Sequence, residues 1–292
     1  MSASSCPLTV IVVEYFSRPH LDGLMNSLAQ FEPGAPVIIS SNSVYSAEET
    51  RRMIAAFPAA KFIRNERNLG YAGGVNRALA LGETPYAAIL NPDVALTRGI
   101  AARTQAVFGG DAKLGMFGPK ILDGAGEPTC SFRRFYPPQF ILARYFGLAK
   151  FRPFRAIPAH YLMKETGRDA FCYADWISGG AMFVRMEAAR AVGGMDERYF
   201  LYMEDMDWCR SFWRAGWRVG YAPEPCLIHR AQHAGTRRGL SGVFTRATRR
   251  QILGYAKYVC KWGLRRYAPA ADIEHGPDGA RASHPVVSGN FQ

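Results

Sequence analysis

Leu8-Thr9-Val10-Ile11-Val12-Val13-Glu14-Tyr15 is a run dominated by β-branched apolar residues. A run of this kind, without polar alternation, suits a strand buried on both faces, as in a parallel sheet. The segments after it repeat a pattern. Arg18 to Gln30 reads as a helix, with Leu21, Leu24, Met25 and Leu28 on one face. Val37 to Ser40 reads as a strand, Ala47 to Phe57 as a helix, and Lys61 to Arg64 as a short strand. Gly73 to Leu81 reads as a third helix, and Tyr86 to Leu90 as a strand ending in Asn91-Pro92-Asp93. Such alternation implies βαβ units: an α/β, Rossmann-like, mostly parallel central sheet flanked by helices.

The middle of the chain is less regular. Gly115 to Ile121 suits a strand, and Pro119 to Pro158, rich in Pro, Arg and aromatic residues, reads as surface loops. Trp176 to Val184 follows as a strand, Glu187 to Val192 as a helix, and Glu204 to Ala215 as a helix closed by Gly216. Arg218 to Tyr221 and Cys226 to His229 read as short strands, and Gly242 to Arg266 as a basic helix. From Pro269 the chain is polar and reads as disordered. The expected organisation is a main domain over 1–240, a basic amphipathic helical extension over 241–267 and a tail over 268–292.

The chain has 292 residues and a formal net charge of +12. A basic balance fits anionic partners: nucleic acid, membrane surface or phosphorylated substrates. Between Cys226 and Ala271 there is no Asp or Glu, so the excess is mostly C-terminal. The six cysteines are scattered with no CxxC pair, which argues against a zinc knuckle or a disulfide framework and for a reducing compartment. No signal peptide is evident, and the apolar runs are too short to span a bilayer. The expected location is cytoplasmic, with peripheral contact on the inner face of the cytoplasmic membrane.

In an open parallel sheet, ligands bind at the carboxyl ends of the strands. Those ends carry Glu14-Tyr15-Phe16-Ser17, Ser41-Asn42-Ser43 and Asn91-Pro92-Asp93, all of which also serve as ordinary turn formers. Asn68-Leu69-Gly70-Tyr71-Ala72-Gly73-Gly74-Val75-Asn76 is a glycine-rich entry into a helix. Its amides suit a phosphate, and its small residues equally suit close helix–strand packing. Asp93 suits Mg²⁺ or Mn²⁺ beside a diphosphate, or caps a following helix. Glu204, Asp205 and Asp207 crowd the start of a helix within an aromatic run, where burial and like charge raise a carboxylate pKa and improve a base. His229 and His233 are spaced i, i+4, but the segment does not read as a helix, and a structural His is the plainer reading.

Taken together these stretches resemble the family-2 glycosyltransferases of the GT-A fold, and among them the bacterial rhamnosyltransferase-like group. The resemblance runs from about Leu8 to Thr236 through VIVVEYFS, VIISSNS, ERNLGYAGGVNRAL, AILNPDV, FGPKILDGAGEPTCSFRRF, the long segment from Trp176 to Pro223, and CLIHRAQ. It implies a nucleotide-binding half over about 1–105 and an acceptor-binding half over about 106–240. It puts Tyr15, Ser41 and Asn42 at the nucleoside, and Asn68, Gly70 and Asn76 beside the donor. Asp93 stands at the metal-binding acid in an NPD variant of DxD. Trp176, Ser178, Gly179 and Gly180 line the sugar and acceptor cleft with Glu204. Asp205 matches the catalytic base, and His229 a late metal ligand. Ser41 stands where the family usually has Asp, and Phe16 where it usually has Asn.

The resemblance implies an inverting, metal-dependent transfer of a hexose from a nucleotide-sugar donor, dTDP-L-rhamnose first and UDP- or GDP-hexoses as alternatives. The implied acceptor is a glycan or a polyprenyl-diphosphate-linked sugar of bacterial surface polysaccharide synthesis. In the C-terminal helix Val243, Phe244, Ile252, Tyr255, Val259 and Trp262 alternate with basic residues, as in a helix lying on an anionic membrane or one packed on the domain. A nucleic-acid-binding module is the reading from a different class; no such motif is present, and the acidic cluster would repel a phosphate chain. No nucleic acid partner is expected.

Overall fold

The computed structural model describes residues 6–136, 160–163, 166–229, 246–265, 267–270 and 273. In it the opening run forms β1 (Leu8–Glu14), which pairs in parallel with β2 (Val37–Ser41) on one side and β4 (Tyr86–Leu90) on the other. β3 (Ala60–Arg64) extends the parallel set beyond β2. The connecting helices are α1 (Arg18–Phe31), α2 (Ala47–Ala56) and α3 (Gly70–Leu79). A capping box starts α2: Ser46 Oγ accepts from Glu49 N, and the Glu49 carboxylate accepts from Ser46 N.

After β4 the chain makes the short strand β5 (Val94–Leu96) and the helix α4 (Ile100–Gly110), neither of which stands out in the sequence pattern. β6 (Leu114–Leu122), β7 (Phe132–Arg133), β8 (Cys172–Tyr173), β9 (Trp176–Ile177) and β10 (Ala181–Arg185) follow. Then come α5 (Met186–Val192), α6 (Glu204–Arg214), β11 (Arg218–His229) and α7 (Arg246–Trp262). The main sheet runs β3-β2-β1-β4-β10-β6-β11-β5, with β8 beside β11, and β7 pairs with β9 in a separate ribbon. β10 and β5 are antiparallel to their neighbours, so the sheet is mixed but mostly parallel.

Both faces of the sheet are buried, and alternate residues serve them in turn. Ile11, Ile89, Met182 and Val184 join the core under α3, α5 and α6, while Val10, Val12, Leu90 and Phe183 join the one under α1 and α4. This two-sided burial is why β1 reads as a continuous apolar run. The stripe of α1 is buried as expected at Leu21, Leu24 and Leu28.

Several boundaries differ from the sequence reading. α3 begins at Gly70 rather than Gly73. The expected strand over Trp176 to Val184 is two strands broken by a turn at 178–180. The two expected strands after α6 are one, β11, with a register irregularity between Ala222 and Cys226. Pro223 and Pro225 lie in that gap, where a missing N–H interrupts a ladder. A strand, not a helix, follows Asp93, so the helix-cap alternative for that residue falls. Val243, Phe244, His233, most of Pro119 to Pro158 and nearly all of the tail after Pro269 lie outside the described residues.

α7 packs against the main domain. Tyr258 is 2% exposed within the core that holds α6, and Tyr255 and Trp262 pack against that core. Arg210 of α6 is the pin. Its guanidinium lies within 6 Å of the rings of Phe135, Tyr258, Trp262 and Tyr267, and it donates to Tyr258 OH at 2.9 Å. Of the two alternatives left open for the apolar stripe, Tyr255 and Trp262 follow the one in which the helix packs on the domain, while Ile252 faces outward. The exposed apolar residues here are Ile252, Leu253 and, just past the helix, Leu264.

Candidate active site

The site begins with a buried carboxylate. Glu14, at the end of β1, is fully buried and accepts from Ser17 N, Ser41 Oγ, Ser43 Oγ and Tyr45 OH at 2.5–3.2 Å. Ser41 is thus a support for Glu14, not an outward donor. Ser43 Oγ also accepts from Phe16 N at 2.6 Å, fixing a turn in which Phe16 sits at φ 46°. That turn leaves Tyr15 and Phe16 more than half exposed at the carboxyl edge of the sheet. The flat exposed faces there suit stacking of a planar base.

Asn42 is buried too. Its amide donates to Gly70 O at 2.8 Å, and its oxygen accepts from Asn65 Nδ2 and from Leu69 N. Asn68 Oδ1 takes Gly70 N, and Phe200 O takes Tyr71 N. The amides of Leu69, Gly70 and Tyr71 are consequently bonded within the protein. The glycines serve approach: a Cβ on Gly70, at φ 75°, would lie 2.3 Å from Phe200 O, and one on Gly74 would lie 2.7 Å from Val13 Cγ1. Asn76 clasps the far end, donating to Met195 O and Glu197 Oε1 and accepting from Met195 N. Asn42 and Asn68 are bonded to Gly70, whereas Ser41 is bonded to Glu14 and Asn76 to Met195 and Glu197, and none of the five borders the cleft that opens over the 178–180 turn.

The 178–180 turn is bonded both to Asp205 and to Asn91, two residues before Asp93. Asn91 N donates to Gly180 O at 3.0 Å, joining the Asn91-Pro92-Asp93 strand end to the 178–180 turn. One residue earlier, Gly179 N donates to Asp205 Oδ2 at 2.9 Å. Tyr71 OH donates to Gly179 O at 2.6 Å and fixes the turn from below. Asp93 lies beside His229 because β11 pairs with β5 and matches His229 to Val94. Asp93 Oδ1 is buried with no hydrogen bond, 3.3 Å from His229 Nε2. Burial pushes Asp93 up, but the adjacent His229 more than offsets it and leaves the carboxyl below its usual value.

The start of α6 is strained. Tyr202 and Met203 both have φ 73°, a left-handed conformation that is uncommon outside glycine. This bend points Glu204 and Asp205 toward the turn. Asp205 is partly exposed, and Met206 N also donates to it at 2.8 Å. Burial raises the Asp205 pKa, with the Gly179 and Met206 amides and then Arg133 acting against it. Glu204 is 5% exposed, its Oε2 has no partner, and burial followed by the Asp205 charge pushes it well above its ordinary value. Asp207 is different. It accepts from Trp262 Nε1 at 2.6 Å and Tyr199 OH at 3.2 Å and pairs with Lys261 Nζ at 2.7 Å, so it ties α6 to α7.

A cleft of ≈ 640 Å³ opens over the turn, bordered by Asn91, Asp123, Ser131, Arg133, Ser178 and His229 among others. That volume is within the range of small-ligand sites. Trp176, expected to line the cleft, does not border it: it is 6% exposed, donates Nε1 to Arg134 O, and carries the Arg133 guanidinium 4.8 Å over its ring. Glu14, Tyr71 and Arg133 were not singled out in the sequence. The SFRRF stretch was the only signal for Arg133, and nothing in a linear pattern marks Glu14 as a hub.

Known proteins resemble this chain in both sequence and fold. The chain is 30% identical over 240 residues to N-acetylglucosaminyl-diphospho-decaprenol L-rhamnosyltransferase of Mycobacterium tuberculosis, covering 78% of this chain and 77% of that protein. The chain belongs to the family-2 glycosyltransferases. Residues 152–267 of this glycosyltransferase match the family described as glycosyl transferase family group 2. The glycosyltransferase is also 34% identical over 94 residues to rhamnosyltransferase WbbL of Escherichia coli, 32% of each chain. Among solved structures, GalNAc-T7 with UDP, GalNAc and Mn²⁺ superposes with TM-score 0.60 at 13% identity, over 87% of this chain and 48% of that one. Staphylococcus aureus TarS 1–349 with UDP superposes with TM-score 0.53 at 14% identity, over 77% and 60% of the two chains. These structural likenesses establish the fold.

Proposed function

We propose that this glycosyltransferase moves L-rhamnose from dTDP-L-rhamnose, with inversion, onto a sugar linked through diphosphate to a polyprenyl lipid. The observation that carries the reaction class is the shared turn: Gly180 is bonded to the strand end bearing Asp93, and Gly179 to Asp205. An activated sugar seated over that turn has a carboxylate at one end and an acid–histidine pair at the other. The names of the relatives support the sugar and the lipid-linked acceptor.

On this reading Asp205 takes the proton of the acceptor hydroxyl as general base, a role suited to a partly desolvated carboxylate held by two backbone amides. Tyr15 offers its exposed ring to the nucleobase. Ser178 lines the cleft beside the sugar, while Gly179 and Gly180 hold the turn. Glu204, buried behind Asp205, shapes the acceptor side.

Asp93 and His229 fit a divalent cation: a buried carboxylate oxygen without a donor stands beside an imidazole nitrogen. Among the described residues no cluster of three or more such ligands exists, so diphosphate and water oxygens would complete the shell. A bound Mg²⁺ or Mn²⁺ would supply positive charge to the leaving diphosphate. Among the described residues, no helix is long and apolar enough to cross a membrane. Ile252, Leu253 and Leu264, with Arg249, Arg250 and Arg265 near them, give α7 an outer face suited to the anionic inner surface of the cytoplasmic membrane. The test is a transfer assay with dTDP-L-rhamnose, UDP-hexoses and GDP-hexoses against a GlcNAc-diphosphate short-chain polyprenyl acceptor. Preferred turnover of dTDP-L-rhamnose is expected; preference for another donor would overturn the sugar assignment.

A further inference from the structure

We propose that Arg133 binds the diphosphate of the lipid-linked acceptor, which makes it a specificity residue on the acceptor side of the cleft. The proposal rests on the reading of the acceptor given above.

Three observations converge on this guanidinium. It is held in place before any ligand arrives. Arg133 is paired with Trp176 across the β7–β9 ribbon, its charge lies 4.8 Å over the Trp176 ring, and the ring is itself fixed by its bond to Arg134 O. It is underused: among the described residues only the Cys130 carbonyl takes an N–H from it, and its buried Nε has no acceptor. A charged donor left without an acceptor is costly, and the planar fork matches phosphate oxygens. It is also alone. Among the described residues that border the cleft, Arg133 is the single Lys or Arg, although the chain as a whole is strongly basic.

The choice between the two diphosphates that enter the cleft follows from direction. In a direct displacement the attacking hydroxyl and the leaving oxygen lie on opposite sides of the anomeric carbon. Asp93 and His229 mark the leaving side. Arg133 stands on the side of attack by its place in the fold: its partner strand β9 runs directly into the 178–180 turn, Ser178 N of that turn donates to Ser131 O two residues before Arg133, and Gly179 N of the same turn holds Asp205. The acceptor sugar reaches Asp205 from that side with its own diphosphate attached one sugar away.

The test compares Arg133→Met and Arg133→Lys with the wild type on two acceptors, GlcNAc-diphosphate-farnesol and the neutral octyl GlcNAc glycoside. The preference for the charged acceptor, as a ratio of kcat/KM values, should fall about 10-fold or more in Arg133→Met and by less in Arg133→Lys. An unchanged ratio, with both acceptors declining together, would make Arg133 a support for Asp205 or for the fold and overturn the proposal. A rise confined to the KM of the donor would assign it to the donor diphosphate and overturn it equally. Calorimetric binding of GlcNAc-diphosphate-farnesol to wild type and Arg133→Met is the second arm. If the wild type transfers rhamnose to neither acceptor, the functional reading fails; weaker binding to the variant would then still support the proposal, and equal binding would reject it.

Discussion

Gly179 donates its backbone N–H to Asp205 Oδ2 at 2.9 Å, so the turn that bridges to the NPD strand end also orients the carboxylate of α6. Asp205→Asn can keep a hydrogen bond at this place but cannot take a proton. Donor binding by thermal shift should persist while kcat falls about 10²–10⁴-fold, the usual range for a positioned base. Near-wild-type turnover would remove Asp205 from the base role. The acid limb of the wild-type pH profile should lie above the ordinary aspartate range near 4, because burial raises the pKa and the base works only when ionised.

Glu204 should weaken the fold as pH rises. Its native pKa is well above its unfolded value, so between the two the native state holds a proton that the unfolded state has released. Stability therefore declines from about pH 4 upward until the native pKa is passed. Glu204→Gln stays neutral throughout. It should raise Tm by a few degrees near pH 8 and leave it unchanged near pH 4, as read by thermal unfolding. A gain of equal size at both pH values would mean that charge is not the cause.

Chelation tests the Asp93–His229 pair. EDTA should abolish transfer, and Mg²⁺ or Mn²⁺ should restore it. Asp93→Ala should weaken donor binding at every metal concentration, since it removes the buried oxygen of the pair. Full activity in EDTA would take the cation out of the reaction.

Gly254 lets α7 lie against the strained bend before Asp205. A Cβ there would meet Met203 Cγ and Tyr202 O at 3.2 Å. Gly254→Leu adds four carbons to that contact, and overpacking of this sort costs about 1–3 kcal/mol. Because the strain falls on the bend that aims Asp205, kcat should drop 10-fold or more with donor affinity retained. Loss of donor binding in parallel would show a global effect instead.

The outer face of α7 should attach the transferase to anionic vesicles. Leu253→Asp with Leu264→Asp replaces two apolar side chains that are 62% and 64% exposed and make no part of the core. Flotation with phosphatidylglycerol liposomes should fall several-fold, with no change in thermal unfolding. Equal flotation would assign attachment to another surface.

The sequence by itself determined the parallel half of the sheet, β1 to β4, and its connecting helices, because burial on both faces writes continuous apolar strands and burial on one side writes helical stripes. Local features also drew attention to Asp93 and the Glu204-Asp205-Asp207 cluster, while the roles of Asp205 and His229 came only from the family resemblance. Tertiary structure alone decided what their neighbours do. Ser41, Asn42 and Asn76 stand in the predicted stretches, yet their polar atoms are spent on Glu14, Gly70 and Met195. The glycines of α3 make room for Phe200 and Val13. Asp207 leaves the acidic cluster to hold Lys261 and Trp262, more than 50 residues away. Such partners are set by how distant segments pack, and hydrogen-bond capacity can be consumed by a group that no linear spacing reveals.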